Sequence, residues 1–237
     1  MRKLLLIIFI VSSSQIFAQR EQLKNLPQFD RKRVHFGFTI GLNTMDFNIQ
    51  KSAAFLENNE IYAIENTRQV GFHIGPVSSF RINDYLNFRA LITLSFGQRD
   101  LTYWRLKDTL SPADGLTPYT MKIASTFLEF PLLLKYKALR VNNFAPYVIG
   151  GFNPKIDLAA RKKIKPNEMP KIRLENFDPS YEMGFGIDFY LEYFRLSVEL
   201  KYSAGFKNIL VPDDTNYTNS IDKMTSRMIM LSLHFEG

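Results

Sequence analysis

The feature that most constrains this chain is a two-residue alternation of apolar and polar side chains. Successive side chains of a β-strand point to opposite faces, so each alternating run predicts a strand with one apolar and one polar face. Eight such runs follow one another, at about residues 34–43, 70–82, 86–97, 128–136, 146–157, 184–189, 194–202 and 228–235. The sequence therefore predicts an all-β fold of eight strands.

The connections between the runs alternate strictly between short and long. Three short connections surround Asn83-Asp84, Asn142-Asn143 and Glu192. The long ones are predicted at 44–69, 98–120, 158–179 and 203–226. Short periplasmic turns alternating with longer extracellular loops are typical of outer-membrane barrels, as is an even number of strands. The runs have 6 to 13 residues, around the 9–11 that a tilted membrane strand needs.

Charged residues are confined to one face of the predicted strands. Arg or Lys on the lipid side of such a barrel costs about 2–4 kcal/mol at the bilayer midplane, so we expect this face to line the lumen. A soluble lipocalin-like barrel would reverse the two faces, and periodicity alone does not separate these two folds. The Gly-rich polar face and the loop lengths favour an eight-stranded antiparallel transmembrane barrel. Its predicted lumen charges are Arg89, Glu129, Lys135, Asp188, Arg195, Glu199 and Lys201.

The first 18 residues predict a secretory signal peptide. Arg2 and Lys3 precede an apolar run at 4–11, and Ala18 offers a small residue at the cleavage position before Gln19. The run is shorter than the roughly 20 apolar residues that cross a bilayer as a helix. No cysteine is present, which excludes a lipoprotein anchor, disulfides and thiolate metal sites. We therefore expect a signal peptide at 1–18, a periplasmic extension at 19–33 and a barrel domain at 34–237.

Several stretches resemble a particular family of barrels. The segment 126–135 (TFLEFPLLLK) is similar to a hallmark segment of outer-membrane barrels that are abundant in Bacteroidetes. More particular resemblances lie at 29–38 (FDRKRVHFGF), 41–47 (GLNTMDF), 181–190 (YEMGFGIDFY), 210–214 (LVPDD) and 224–227 (MTSR). Together these stretches resemble the PorT family, also called SprT, of the type IX secretion and gliding-motility machinery. The resemblance spans nearly the whole chain after the signal peptide.

This resemblance implies an outer-membrane protein that is needed for the export of cargo proteins. The family offers no catalytic motif, so it implies neither an enzyme nor a cofactor, and the partners would be other type IX components. Two alternatives remain from the residues alone, namely a passive small-solute porin and an outer-membrane enzyme. Net charge falls from +7 to +5 when Arg2 and Lys3 leave, and an excess of that size without a basic stripe does not indicate nucleic-acid binding.

Candidate sites follow from the barrel geometry. An eight-stranded barrel is just wide enough for side chains to fill, so we expect the lumen charges to pair and the protein not to conduct cargo. His35 and His234 are expected to form a lumen pair where strands one and eight meet. The extension 19–33 either docks periplasmic components or is a flexible leader. The basic stretch 155–171 is a solvated loop, or it contacts lipopolysaccharide or a partner.

Overall fold

The structure, a computed structural model, describes residues 24–53, 55, 61–106, 115–160, 172–213 and 216–237. The predicted signal peptide and its cleavage site lie outside these residues. No helix among them is long and apolar enough to cross a membrane. A 3-10 turn at Phe29–Arg31 precedes the strands and a short helix at Asn216–Asn219 precedes the last one. The strands are β1 Val34–Lys51, β2 Ile61–Arg81, β3 Leu86–Leu91, β4 Thr93–Leu106, β5 Leu116–Glu129, β6 Leu132–Lys137, β7 Phe144–Asn153, β8 Lys155–Asp157, β9 Ser180–Tyr190, β10 Arg195–Gly205 and β11 Ile221–Glu236.

The eleven strands form one closed antiparallel sheet with eight barrel positions. β1 pairs with β2 on one side and with β11 on the other, which closes the ring. Three barrel strands are each interrupted once, so that β3 continues into β4, β5 into β6, and β7 into β8. The interruptions lie beside three prolines: Ile92 N–H donates to the Pro76 carbonyl, Leu91 N–H to that of Pro131, and Phe130 N–H to that of Pro154. Proline has no N–H to return the second hydrogen bond, so the ladder breaks there.

The predicted fold class is confirmed: the chain is an eight-stranded antiparallel outer-membrane barrel with short periplasmic turns. The bounds of the long loops were wrong in three of four cases, because β1, β2, β4, β5 and β11 extend well past the apolar runs. β1 pairs with β11 up to Lys51, and β2 pairs with β4 from Ile61. Apolar alternation ends where the lipid ends, whereas ladder hydrogen bonds continue into water. The alternation therefore underestimates strand length.

The apolar face of the barrel points outward. On β1 and β11 the exposed side chains include Phe36, at 67% of its maximal surface, Phe38, Leu42 and Leu231. The intervening side chains Thr39, Asn43 and His234 are buried. This arrangement suits a lipid environment, since a soluble barrel would place the apolar set inside.

A charge on this outer face should be costly in the bilayer. Leu231 lies between Leu42 of β1 and Leu200 of β10, in the middle of the apolar band. We expect Leu231→Arg to lower the free energy of unfolding in lipid vesicles by about 2–4 kcal/mol. Gln50→Arg, on the exposed extension of β1, is the matched control and should cost less than about 1 kcal/mol. Equal losses for the two variants in urea unfolding would contradict a lipid-facing Leu231.

Candidate functional site

All seven lumen charges that the sequence predicts are buried inside the barrel. They lie on five different elements, because the two-residue alternation of each strand turns one residue in two toward the axis. Their exposed fractions range from 0% for Arg89 to 4% for Lys201. The full set, on β3, β5, β6, β9 and β10, is Arg89, Glu129, Lys135, Asp188, Arg195, Glu199 and Lys201.

Arg89 spans the lumen and joins strands that are far apart in sequence. Its Nη1 donates to Glu199 Oε2 at 2.8 Å and its Nη2 to Glu236 Oε1 at 2.9 Å. Arg195 donates to the other oxygen of Glu236 at 2.5 Å, and Tyr147 donates its hydroxyl proton to Glu199 at 2.8 Å. Glu236 therefore receives two charged donors, and Glu199 receives one charged and one neutral donor. Such donors are the condition for burying a charge without a large penalty.

Two further pairs continue the network along the axis. Lys135 Nζ lies 2.7 Å from both oxygens of Asp188, which also accepts a hydrogen bond from Ser197. Lys201 Nζ lies 2.8 Å from Glu182 Oε2. Glu129 joins the same layer through the amide of Asn153, which donates to Glu129 and to Glu182 at 2.6 Å each.

Other members of the network were missed by the sequence analysis. Lys155 was assigned to the basic outer loop, but it is fully buried and lies 3.3 Å from Asp178. Residues 161–171 of that stretch lie outside the described residues. The two-residue alternation could have identified some of these charges. Arg99 is an even number of positions from Arg89, and Glu236 is an even number from His234, so each points to the same face as its predicted neighbour. Among the described residues the buried charges are Arg89, Arg99, Lys135, Lys137, Lys155, Arg195 and Lys201 against Asp46, Glu129, Asp157, Asp178, Glu182, Asp188, Glu199 and Glu236.

The buried charges are close to neutral overall. Seven are basic and eight acidic, and two of them pair outside this set: Asp46 with the partly exposed Arg68 at 3.4 Å, and Lys137 with the partly buried Asp30 at 2.7 Å. A lumen of one sign would select ions of the other sign. A balanced, mutually paired lumen instead behaves as a polar core.

The expected pair of His35 and His234 is not formed in the register that closes the barrel. β1 and β11 place Thr39 opposite His234, so His35 lies four residues nearer the periplasmic end. His35 stacks on Phe29 with ring centroids 3.9 Å apart, whereas His234 Nε2 lies 3.3 Å from Glu199. No group of three or more His, Asp or Glu side chains within the described ranges could hold a metal ion.

A small cavity lies beside His234 in the middle of the barrel. It has a volume of about 10 Å³ and is lined by His73, Glu129 and Lys201, among others. His73 Nε2 is 2.9 Å from the hydroxyl of Ser232 on its wall. A space of this size holds about one water molecule, so it does not form a path for solutes.

The periplasmic mouth is closed by the segment that precedes β1. Phe29 is buried in the barrel, where it stacks on His35, lies under the Arg195 guanidinium at 4.7 Å and meets Tyr190 edge-on. Asp30 accepts hydrogen bonds from Lys137 at 2.7 Å and from the Tyr190 hydroxyl at 3.0 Å. We call residues 25–30 the plug. The described part of the extension is therefore packed against the barrel rather than a free leader.

The electrostatics of the plug favour a charged Asp30. Burial by itself raises the pKa of this carboxyl, but the hydrogen bonds from Lys137 and Tyr190 and the charges of Lys137 and Arg195 together outweigh burial and hold the pKa below its ordinary value. The stabilisation by this ionised carboxyl is therefore complete above the ordinary pKa of an aspartate. It is lost as the pH falls through the lowered value.

The outer end of the barrel is closed by apolar side chains. Phe47, Leu101 and Tyr103 point inward from the strand extensions and pack against Leu174 and Ile209 of the inter-strand segments. Backbone hydrogen bonds fix those segments, since Glu175 N–H donates to the Ile209 carbonyl at 2.8 Å. We call this apolar cluster the roof. In the described residues, the barrel thus has a polar middle between the plug at the periplasmic end and the roof at the outer end.

The chain matches one family model and is similar to several solved structures. Residues 17–211 match the family model described as "Outer membrane protein beta-barrel domain". Among solved structures, the chain is similar to the outer membrane protein OprG from Pseudomonas aeruginosa, with 13% identity, a TM-score of 0.46, and 86% of this chain and 94% of that chain covered. It is also similar to Ail, the attachment invasion locus protein of Yersinia pestis, with 12% identity, a TM-score of 0.40 and coverage of 87% and 100%. No curated protein sequence matches.

Proposed function

The chain belongs to the outer membrane protein beta-barrel domain family, and from this premise we propose that it is a non-enzymatic component of the type IX secretion system. In this role it would be required for the export of cargo proteins and would act by binding partners rather than as the conducting channel. The stretches at 29–47, 181–190 and 210–227 support the type IX assignment through their resemblance to the PorT family.

The filled lumen is the observation that carries the proposed mode of action. The Arg89 side chain links β3 to β10 and β11 across the barrel, and the plug and the roof cover the two ends. A folded or extended cargo chain would have to displace these buried ion pairs. Breaking one buried pair costs about 3–5 kcal/mol, which argues against transport through this barrel.

The remaining surfaces are then the candidate contacts. The wall of the barrel meets outer-membrane lipid, and the outer rim would meet lipopolysaccharide. The periplasmic rim and the extracellular segments would meet other type IX components, since loops and rims on a rigid scaffold often carry binding. No contact with nucleic acid is proposed.

A deletion strain tests the proposed function. We expect loss of secretion of many cargo proteins, with cargo accumulating in the periplasm, and full recovery when the wild-type chain is supplied. Normal secretion together with altered uptake of small solutes would instead support the alternative, a passive porin. An enzymatic activity that vanishes with one rim or loop substitution would contradict the non-enzymatic assignment.

Electrical recordings test the closed lumen separately. We expect the purified protein in planar bilayers to show no large, stable conductance steps, because the ion pairs and the two closures leave no continuous water path. Porins of larger strand number are the positive control, since their lumens are aqueous channels. Large, stable steps from the wild-type protein would overturn this mode of action.

A further inference from the structure

The periplasmic face of the plug carries four exposed basic residues. Lys24 precedes the plug, and Arg31, Lys32 and Arg33 follow it directly before β1. All four side chains are exposed. We call these four residues the basic floor.

The basic floor is held in place from both sides. Asn25 donates its backbone N–H to the Asn143 side chain at 2.9 Å and its amide to the Tyr190 carbonyl at 3.1 Å. Lys32 N–H donates to the Phe29 carbonyl at 3.2 Å, and Arg81 N–H donates to the Arg33 carbonyl at 2.8 Å. The backbone that carries the floor is therefore tied to the barrel, and a partner would meet a surface that is already ordered.

The positive charge of the floor is not compensated. In the described part of the chain, none of the four residues forms an ion pair with an acidic side chain. The nearby Asp30 is occupied by Lys137, and Asp84 pairs with Arg81. An uncompensated cluster of one sign raises the local concentration of a partner with the opposite sign.

The position of the floor favours a protein partner over the lipid surface. Arg33 directly precedes β1, and its carbonyl accepts the hydrogen bond from Arg81 N–H at the periplasmic end of β2. Arg31 belongs to the 3-10 turn whose Phe29 is inserted into the lumen. Arg31 therefore lies over the mouth of the barrel rather than beside the lipid headgroups.

From these observations we propose that the basic floor is the docking surface for an acidic segment of a periplasmic protein. This inference rests on the proposed function, because it names the surface through which the barrel binds a component of the secretion machinery. Arginine and lysine side chains on a fixed backbone would bind successive carboxylates of an extended chain. Such contacts mainly set the association rate and the choice of partner.

A charge-reversal experiment tests the surface directly. The full barrel is reconstituted in phosphatidylcholine nanodiscs, and binding of a fluorescein-labelled decaglutamate peptide is followed by anisotropy. We expect the triple variant Arg31→Glu, Lys32→Glu, Arg33→Glu to bind at least about tenfold more weakly. The control is Lys51→Glu, Lys122→Glu, Lys223→Glu, which reverses three charges on the strand extensions at the opposite end and should stay within about twofold. About 0.5 M salt should remove most of the wild-type binding.

Two results would overturn the inference on this probe. One is unchanged peptide affinity in the floor variant. The other is a wild type that binds no decaglutamate but, in nanodiscs that also contain phosphatidylglycerol, retains this lipid in native mass spectrometry while the floor variant does not, because the surface would then bind lipid.

Secretion assays separate the docking inference from the type IX assignment. In cells, the floor variant should reach the outer membrane at the wild-type level and yet lose cargo secretion, while the control variant secretes normally. If the deletion strain fails to secrete but the floor variant secretes normally, the docking inference is wrong and the type IX role stands. If the deletion strain secretes normally, the type IX role is wrong, and the peptide assay still decides whether the floor binds acidic chains.

Discussion

Lys135→Met should lower the free energy of unfolding by about 3–5 kcal/mol, because it leaves Asp188 as a buried charge without its nearest cation. Lys135 Nζ lies 2.7 Å from Asp188 and both side chains are fully buried, whereas the next cation, Arg195, is 3.7 Å away. Methionine fills a similar volume, so lost packing contributes little. Urea unfolding in lipid vesicles measures the change.

A second substitution distinguishes lost charge from lost packing. In Lys135→Met with Asp188→Leu, both charges are gone, and replacing a buried ion pair by apolar residues is often neutral or stabilising. We therefore expect the double variant to recover most of the loss. Lys207→Met is the surface control, since the Lys207–Glu175 pair is 40% exposed on each side and such pairs contribute about 0–1 kcal/mol. A double variant that is less stable than Lys135→Met would contradict a charge-balanced core.

The direction in which each strand residue points was predictable from the sequence, because one rule fixes it. A two-residue period places Arg89, Glu199 and Lys201 on the same side of the wall whatever the register. The cost of charge in lipid then decides that this side is the lumen. The same rule, carried past the apolar runs, also places Arg99 and Glu236 inside.

The partners of those residues were not predictable, because register and barrel closure decide them. Arg89 meets Glu199 across 110 positions of sequence, and the offset between β1 and β11 separates His35 from His234. The apolar-polar period of a single strand determines neither this contact nor this offset. The predicted strand ends were wrong for a different reason. Leu101 and Tyr103 lie on a strand that continues outside the membrane, where their side chains are buried in the roof and not by lipid.

The plug was the least visible element in the sequence. It presents one aromatic residue, Phe29, in a polar segment, and a single residue has no period. Its burial depends on Tyr190 and Arg195, which lie more than 150 residues away. The sequence therefore left docking and a flexible leader as equal descriptions of the extension, whereas the described residues are docked on the barrel itself.

Phe29→Ala should release the plug while leaving the barrel intact. Removing a buried phenylalanine costs about 3–5 kcal/mol, and here the stacking on His35 and the cation–π contact with Arg195 are lost together. Asp30 and the hydrogen bonds of Asn25 then have to hold the segment. When opening is fast, proteolysis reports the population of the open form, so trypsin cleavage after Arg31 should become at least about tenfold faster.

The neighbouring Gln28→Ala is the matched control for this release. Gln28 is exposed and contributes its backbone carbonyl, which accepts the Arg31 N–H, so the substitution leaves every plug contact in place. Its cleavage rate should equal that of the wild type, and the heat-induced unfolding of the barrel should be similar in both variants. If Phe29→Ala were cleaved no faster than Gln28→Ala, Phe29 would not be the residue that holds the plug in the periplasmic mouth. A cleaved barrel that still shows no conductance would place the barrier to ions in the Arg89 network rather than in the plug.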